Sequence, residues 1–251
     1  MGRYDFTYYH EIGHQGQSLV PHYPGGKSGV TIGPGYDMSM RSPEQIIADL
    51  TRVGVDEDIA VALSQASSKS GPEAQQWISR QGGLYITDEQ QKALFEEVLV
   101  PEYEERMVSQ INGVLQNSAH GTNEPIDITQ LSVHQREILF DFTYNAGLSR
   151  FPTLVDAVLN EDWEMAAAHY ERFSNDEPLT YRNEMFYSTF LSSDGIEQYI
   201  NLAVEQEPEL FEIDALLDGM MSEGLEDESD IARHDRDKDL DIDQLLDESE
   251  W

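Results

Sequence analysis

The amino-acid sequence predicts an α+β protein that is mainly α, with a small Gly-rich β-sheet or hairpin near the N-terminus and a helical C-terminal lobe. Three observations predict it. Helix-start signatures recur at Ser42, Thr87 and Ser132, each followed by apolar residues at helical spacing. One stretch, Ser18–Met38, is instead rich in Gly and Pro around short apolar pieces, Leu19-Val20 and Val30-Thr31-Ile32. Aromatic residues run to Phe211 and then stop until Trp251, while the segment from Glu212 holds 16 carboxylates against 3 basic side chains. Such a segment has little apolar surface to offset its ordering entropy. The chain is therefore expected to divide into a folded body, 1–205, and an acidic extension, 206–251, partly helical or disordered, with one docked helix around Ile213–Met221.

The elements follow in chain order. A short helix, Tyr4–His10, presents Glu11 at its end, and the Gly-rich stretch comes next. Ser42-Pro43-Glu44-Gln45 places a cap, a proline at the first helical position and a capping-box partner ahead of Ile46, Ile47 and Leu50. Thr87-Asp88-Glu89-Gln90 repeats the signature ahead of Leu94, Phe95, Val98 and Leu99, with Pro101 expected to kink or break the helix. Ser132-Val133-His134-Gln135 opens a third helix with Ile138, Leu139 and Phe142 on one face, ended by Gly147. Phe151-Pro152, Asp162 and Asp194 mark three further helix starts.

Composition excludes several functions. The formal charge is −34, and 4 Lys and 11 Arg scattered over 251 residues make no basic face for nucleic acid. Without cysteine there is no disulfide, thiolate nucleophile or Cys-ligated metal. No apolar run reaches the roughly 18–20 residues of a membrane span, and Met-Gly-Arg-Tyr-Asp lacks the start of a secretory signal. A monomer needing no cofactor and no metal is expected. His10, His14 and His22 lack the paired spacing plus third ligand of a hydrolytic zinc site. The run Asp235–Asp243 begins like a calcium loop, but Leu240 stands where the turn needs Gly and Leu246 where a bidentate Glu is needed, so it reads as a solvated acidic run. Trp77 and Trp163 read as core residues, and Asp5 and Asp49 as bystanders.

The chemistry is expected in the exceptional stretch. Gly29-Val30-Thr31-Ile32-Gly33-Pro34-Gly35-Tyr36-Asp37 implies tight backbone with little side-chain cover, as where a ligand approaches, although on these residues alone a plain Gly-rich hairpin between helices is the more ordinary reading. Thr31 and Gly33 share one face of such a strand and Ile32 the other. A carboxyl at a helix end, facing a sheet with a hydroxyl and a second carboxyl, suits glycoside hydrolysis.

Glu11, then 19 residues, then Thr31-Ile32-Gly33-x-Gly35 resembles the active-site segment of the phage-type lysozymes, in which a Glu ends the first helix and a Thr-Ile-Gly-x-Gly strand lines the cleft. The likeness continues through Phe142-Thr143-Tyr144-Asn145-x-Gly147, Phe151, Trp163 and Ala166-Ala167, then Arg172-Phe173, Asn175, Pro178, Arg182 and Thr189-Phe190, covering roughly residues 1–205. Where phage enzymes carry an acid about six residues before the Thr, this chain has Pro24-Gly25-Gly26, and its second carboxylate is Asp37, six residues after. That later Asp resembles the pesticin-like branch of bacterial toxins and effectors.

The resemblance implies a lysozyme-like fold and a muramidase cutting the β-1,4 bond between N-acetylmuramic acid and N-acetylglucosamine of peptidoglycan. Glu11 would be the general acid, kept protonated by its sheltered position, with Asp37 and Thr31 stabilising the sugar cation or activating water. Tyr144 and Asn145 are candidate substrate contacts, or else a buried tyrosine and a C-cap, and Arg182 is expected to pair with a carboxylate at the closing seam of the fold. Peptidoglycan glycan strands are the expected partner, with an immunity protein if the chain is a toxin, and no nucleic acid or membrane. The site of action would be the bacterial cell wall or periplasm, reached by lysis, secretion or effector delivery. Two alternatives stay open: a chitosanase-like glycosidase, whose cationic substrate would suit an acidic protein, and a non-enzymatic acidic binding protein on a lysozyme-like scaffold.

Overall fold

The computed structural model describes residues 3–12, 17–117, 125–174 and 177–206. The chain divides into two units, Met1–Tyr199 and Ile200–Trp251. The helix expected around Ile213–Met221, the acidic run Asp235–Asp243, His14 and Asn175 lie outside the described residues, as does the expected extension apart from Gln206.

Within the first unit the described elements are mainly helical. Helix α1 (Asp5–Glu11) leads to a two-stranded antiparallel hairpin, β1 (Thr31–Ile32) and β2 (Tyr36–Asp37). Helices α2 (Pro43–Arg52), α3 (Glu57–Ser64) and α4 (Gly71–Ile78) follow, then α5 (Asp88–Leu94), α6 (Val100–Asn117) and α7 (Val133–Asn145). Beyond them come α8 (Pro152–Leu159), α9 (Trp163–Ala168), a second two-stranded hairpin of β3 (Phe173–Ser174) and β4 (Glu177–Pro178), and α10 (Thr180–Phe186). Helix α11 (Ser193–Gln206) is the last described element, and its final turns belong to the second unit. No described helix is long and apolar enough to cross a membrane.

The expected caps form as local hydrogen bonds. Gln45 N–H donates to Ser42 Oγ, and both halves of the capping box close at Thr87/Gln90 and at Ser132/Gln135. Each cap is worth about 1 kcal/mol. Asp162 caps α9 by accepting from Met165 N–H. Pro101 does not break its helix. A π-helical segment, Phe95–Leu99, precedes it, with Val100 N–H donating to the Phe95 carbonyl. The wider turn absorbs the donor that proline lacks and the crowding of its ring, so α5 and α6 run on as one continuous helical stretch.

Helix α7 lies at the centre, with Ile138, Leu139, Phe140 and Phe142 fully buried and the polar Glu137, Asp141 and Thr143 buried as well. A helix enclosed on all sides shows no single apolar stripe. Tyr4 fixes α1 against α7: its ring stacks on Phe140 with centroids 3.7 Å apart, and its hydroxyl donates to Glu104 on α6 at 2.7 Å. The hairpin is bolted to the helices by Arg41. Its guanidinium lies 4.2 Å over the Tyr36 ring and forks onto Glu102 of α6, while the Tyr36 hydroxyl donates to Asp49 of α2 at 2.8 Å. Asp49 thus has a structural role, and Asp5 forms a 2.7 Å ion pair with Lys92. Trp77 is buried in the core and Trp163 packs at its margin against His134.

Candidate active site

Glu11 is the last residue of α1, its side chain about one-fifth exposed. The preceding His10 is turned back along the helix, Nδ1 2.8 Å from the Phe6 carbonyl. Arg182 of α10 reaches across to Glu11, Nη1 donating to Oε1 at 2.7 Å. The same guanidinium donates through Nη2 to Asp141 Oδ1 at 2.6 Å, so one arginine bridges a half-buried carboxylate and a fully buried one. Burial alone would pull the Arg182 pKa down, but Asp141 and Glu11 beside it outweigh that and hold it up. The sequence expectation of a carboxylate partner for Arg182 is met twice over.

Thr31 and Asp37 are brought together by the hairpin, as direct cross-strand partners. The Thr31 backbone exchanges both of its hydrogen bonds with His22 on the other side. Thr31 and Asp37 are therefore a non-hydrogen-bonded pair, the kind whose Cα atoms approach to about 4.5 Å with side chains on one face. Asp37 is locked by backbone donors: Gly29 N–H to Oδ2 at 3.0 Å and Ser39 N–H to Oδ1 at 2.8 Å. A Cβ at position 29 would overlap the Asp37 carboxylate and the Ser39 side chain, so only glycine leaves room for this seat. Among the described residues Thr31 Oγ1 has only a long 3.5 Å contact to the Gly29 carbonyl. Its hydroxyl is held loosely.

Ser18 joins the end of α1 to the hairpin. Its hydroxyl lies 2.5 Å from both the Ile12 carbonyl and Gln91 Oε1, and its carbonyl accepts the Gly33 N–H at 2.7 Å. From the other side the Tyr144 hydroxyl donates to the Pro34 carbonyl at the tip of the turn, while its ring stacks on Tyr103 with centroids 4.0 Å apart. Burial, then the neighbouring Tyr103 and Glu11, push the Tyr144 hydroxyl pKa well up. Tyr144 therefore supports the turn as a neutral donor. Asn145 is exposed and lines a cavity of about 450 Å³ with Arg150, Arg172 and Phe173.

Sequence reasoning missed Asp141. It is fully buried and accepts the Thr7 hydroxyl at 3.0 Å and Arg182, and its Oδ2 lies 2.8 Å from Arg172 Nη2. The Arg172 guanidinium is wedged between the rings of Phe142 and Phe186, 3.9 and 4.5 Å from their centroids, and burial lowers its pKa. The signal was present as Phe140-Asp141-Phe142: a carboxylate inside an apolar helical run must be buried with a cation, or the run is not core. Among the described residues no three His, Asp or Glu side chains gather as a metal-ligand set.

Residues 5–159 match the family described as Domain of unknown function (DUF8812), and the chain belongs to that family. The matched span contains Glu11, Thr31, Asp37 and Asp141 and ends before Arg172 and Arg182. No curated protein matches the chain.

Proposed function

We propose that this DUF8812 protein is a lysozyme-like muramidase of the pesticin-like kind, hydrolysing the β-1,4 bond between N-acetylmuramic acid and N-acetylglucosamine in peptidoglycan. The observation that carries the reading is the pairing of Thr31 with Asp37 on one face of a hairpin that Ser18 ties to the end of the Glu11 helix. A hydroxyl, a carboxylate held as a hydrogen-bond acceptor, and a second carboxyl on a separate rigid element are the parts that two-carboxyl glycoside hydrolysis needs. Glu11 delivers a proton to the leaving glycosidic oxygen. Asp37 stabilises the positive charge that develops on the sugar or takes a proton from water. Thr31, with its loosely held hydroxyl, orients that water.

The glycan strands are the partner, and the wall or periplasm is the place of action. The test is release of reducing ends from purified sacculi by the full chain, abolished in Glu11→Gln with the circular dichroism and melting curve unchanged. Hydrolysis of chitosan with sacculi left intact would replace this reading by the chitosanase-like one. A folded wild type inert on both would point to a binding protein on the same scaffold.

A further inference from the structure

An acid catalyst paired with an arginine poses a problem. Arg182 holds Glu11 in position at 2.7 Å, yet an adjacent guanidinium opposes the protonated form that a general acid must carry. We infer that Asp141 is the positioning residue that resolves this, dividing the charge of Arg182 between two carboxylates so that Glu11 is held in place and still accepts a proton. The inference deepens the muramidase reading and rests on it for its kinetic arm.

The charge count gives the direction. Four groups form one chain: Glu11, Arg182, Asp141 and Arg172. With Glu11 ionised their charges cancel, and with Glu11 protonated the chain carries one positive charge. Without the Asp141 carboxylate these figures become one and two, and protonating Glu11 adds charge to a group already positive. Asp141 and Arg172 are almost completely buried, so their fields are weakly screened and reach Glu11 through the bridging guanidinium.

Other elements bear on the same cluster. Helix α1 supplies Thr7, which donates to Asp141, and Asp5, which Lys92 neutralises. Glu137 lies one turn before Asp141 on α7, and Tyr199 of α11 faces both. Tyr103 of α6 and Tyr144 of α7 face Glu11. Among the described residues only Arg182 is hydrogen-bonded to both carboxylates, so removing the Asp141 charge acts on Glu11 through it.

The experiment uses the full chain and two readouts: the pH dependence of kcat/KM on sacculi, and the titration midpoint of the Glu11 carboxyl followed by carbon NMR, its signal assigned by loss in Glu11→Gln. In Asp141→Asn the alkaline limb of the profile and the Glu11 midpoint both fall together, by roughly one pH unit or more. Asp141→Glu restores both toward wild type. Arg172→Met, an apolar side chain suited to the space between two rings, removes a cation and moves both readouts upward, so the inference stays testable if Asp141→Asn does not fold. A folded Asp141→Asn or Arg172→Met whose Glu11 midpoint is unchanged overturns the inference. If the wild type releases no reducing ends, the muramidase reading fails, while the NMR titration alone still decides the role of Asp141.

Discussion

The backbone N–H of Tyr4 donates to Glu137 Oε1 across 2.6 Å, joining the start of α1 to the middle of α7. Glu137 Oε2 is buried and has no hydrogen-bond partner among the described residues. Burial pushes the Glu137 pKa up to about 8 from an ordinary 4.5, against the lowering effect of the Tyr4 N–H and with further raising by Asp141 and Asp5. The folded protein thus keeps a proton that the unfolded chain releases. The stabilisation is complete below about pH 4.5 and is lost as pH rises through about 8. Glu137→Gln keeps the acceptor for Tyr4 and cannot ionise. Chemical denaturation should find the variant close to wild type at pH 5 and more stable at pH 9, by a few kcal/mol at about 1.4 kcal/mol per pH unit. A stability difference that does not change with pH would show that Glu137 is ionised throughout.

Gly29→Ala tests the seat of Asp37. The new Cβ would meet Asp37 Oδ1 and the Ser39 side chain, and the carboxylate must move or the hairpin must open. Overpacking of this kind destabilises by about 1–3 kcal/mol. Under the proposed mechanism, activity on sacculi should fall nearly as far as in Asp37→Asn, although position 29 itself contributes no side-chain chemistry. Wild-type activity and melting temperature in Gly29→Ala would rule out the close approach.

Tyr144→Phe separates two roles for one residue. If the hydroxyl serves the Pro34 carbonyl, its loss costs about 1 kcal/mol of stability and loosens the turn between Thr31 and Asp37, lowering kcat. If it contacts the sugar, KM rises and the melting temperature stays put. The first outcome is expected, because the structure shows the hydroxyl already committed.

What the sequence revealed and concealed follows from the range of the interactions. The caps at Ser42, Thr87 and Ser132 were legible because each closes within three residues. The hairpin was legible because glycine and β-branched residues mark it locally, and the register then placed Thr31 opposite Asp37. The π-helical turn before Pro101 was not, since proline signals a missing donor and says nothing of how the neighbouring turn adjusts. The short helices α3 and α4 carry only Ala60 and Leu63, or Ala74 and Trp77, as buried hydrophobic side chains, too few to set a period. Asp141 and Glu137 were hidden because α7 is covered on every side, and reading one face through Ile138, Leu139 and Phe142 says nothing of the others. The Glu11–Arg182 pair spans 171 positions, beyond any local pattern.

The charge of −34 makes the last prediction. Like charges repel in the folded state more than in the expanded chain, and salt shortens their reach from about 8 Å at physiological ionic strength to about 3 Å at 1 M. Pairs made by exposed arginines, such as Arg3–Glu104 and Arg52–Asp49, weaken in the same salt, but each is worth about 1 kcal/mol or less. The buried Arg172–Asp141 pair is scarcely screened. The melting temperature should therefore rise with sodium chloride toward molar levels. Hydrolysis of sacculi should rise with it, because an acidic protein and an anionic wall repel until screened, and the gain should appear in KM rather than kcat. A fall in both stability and activity over that range would mean that local ion pairs, not net repulsion, dominate the electrostatics of this chain.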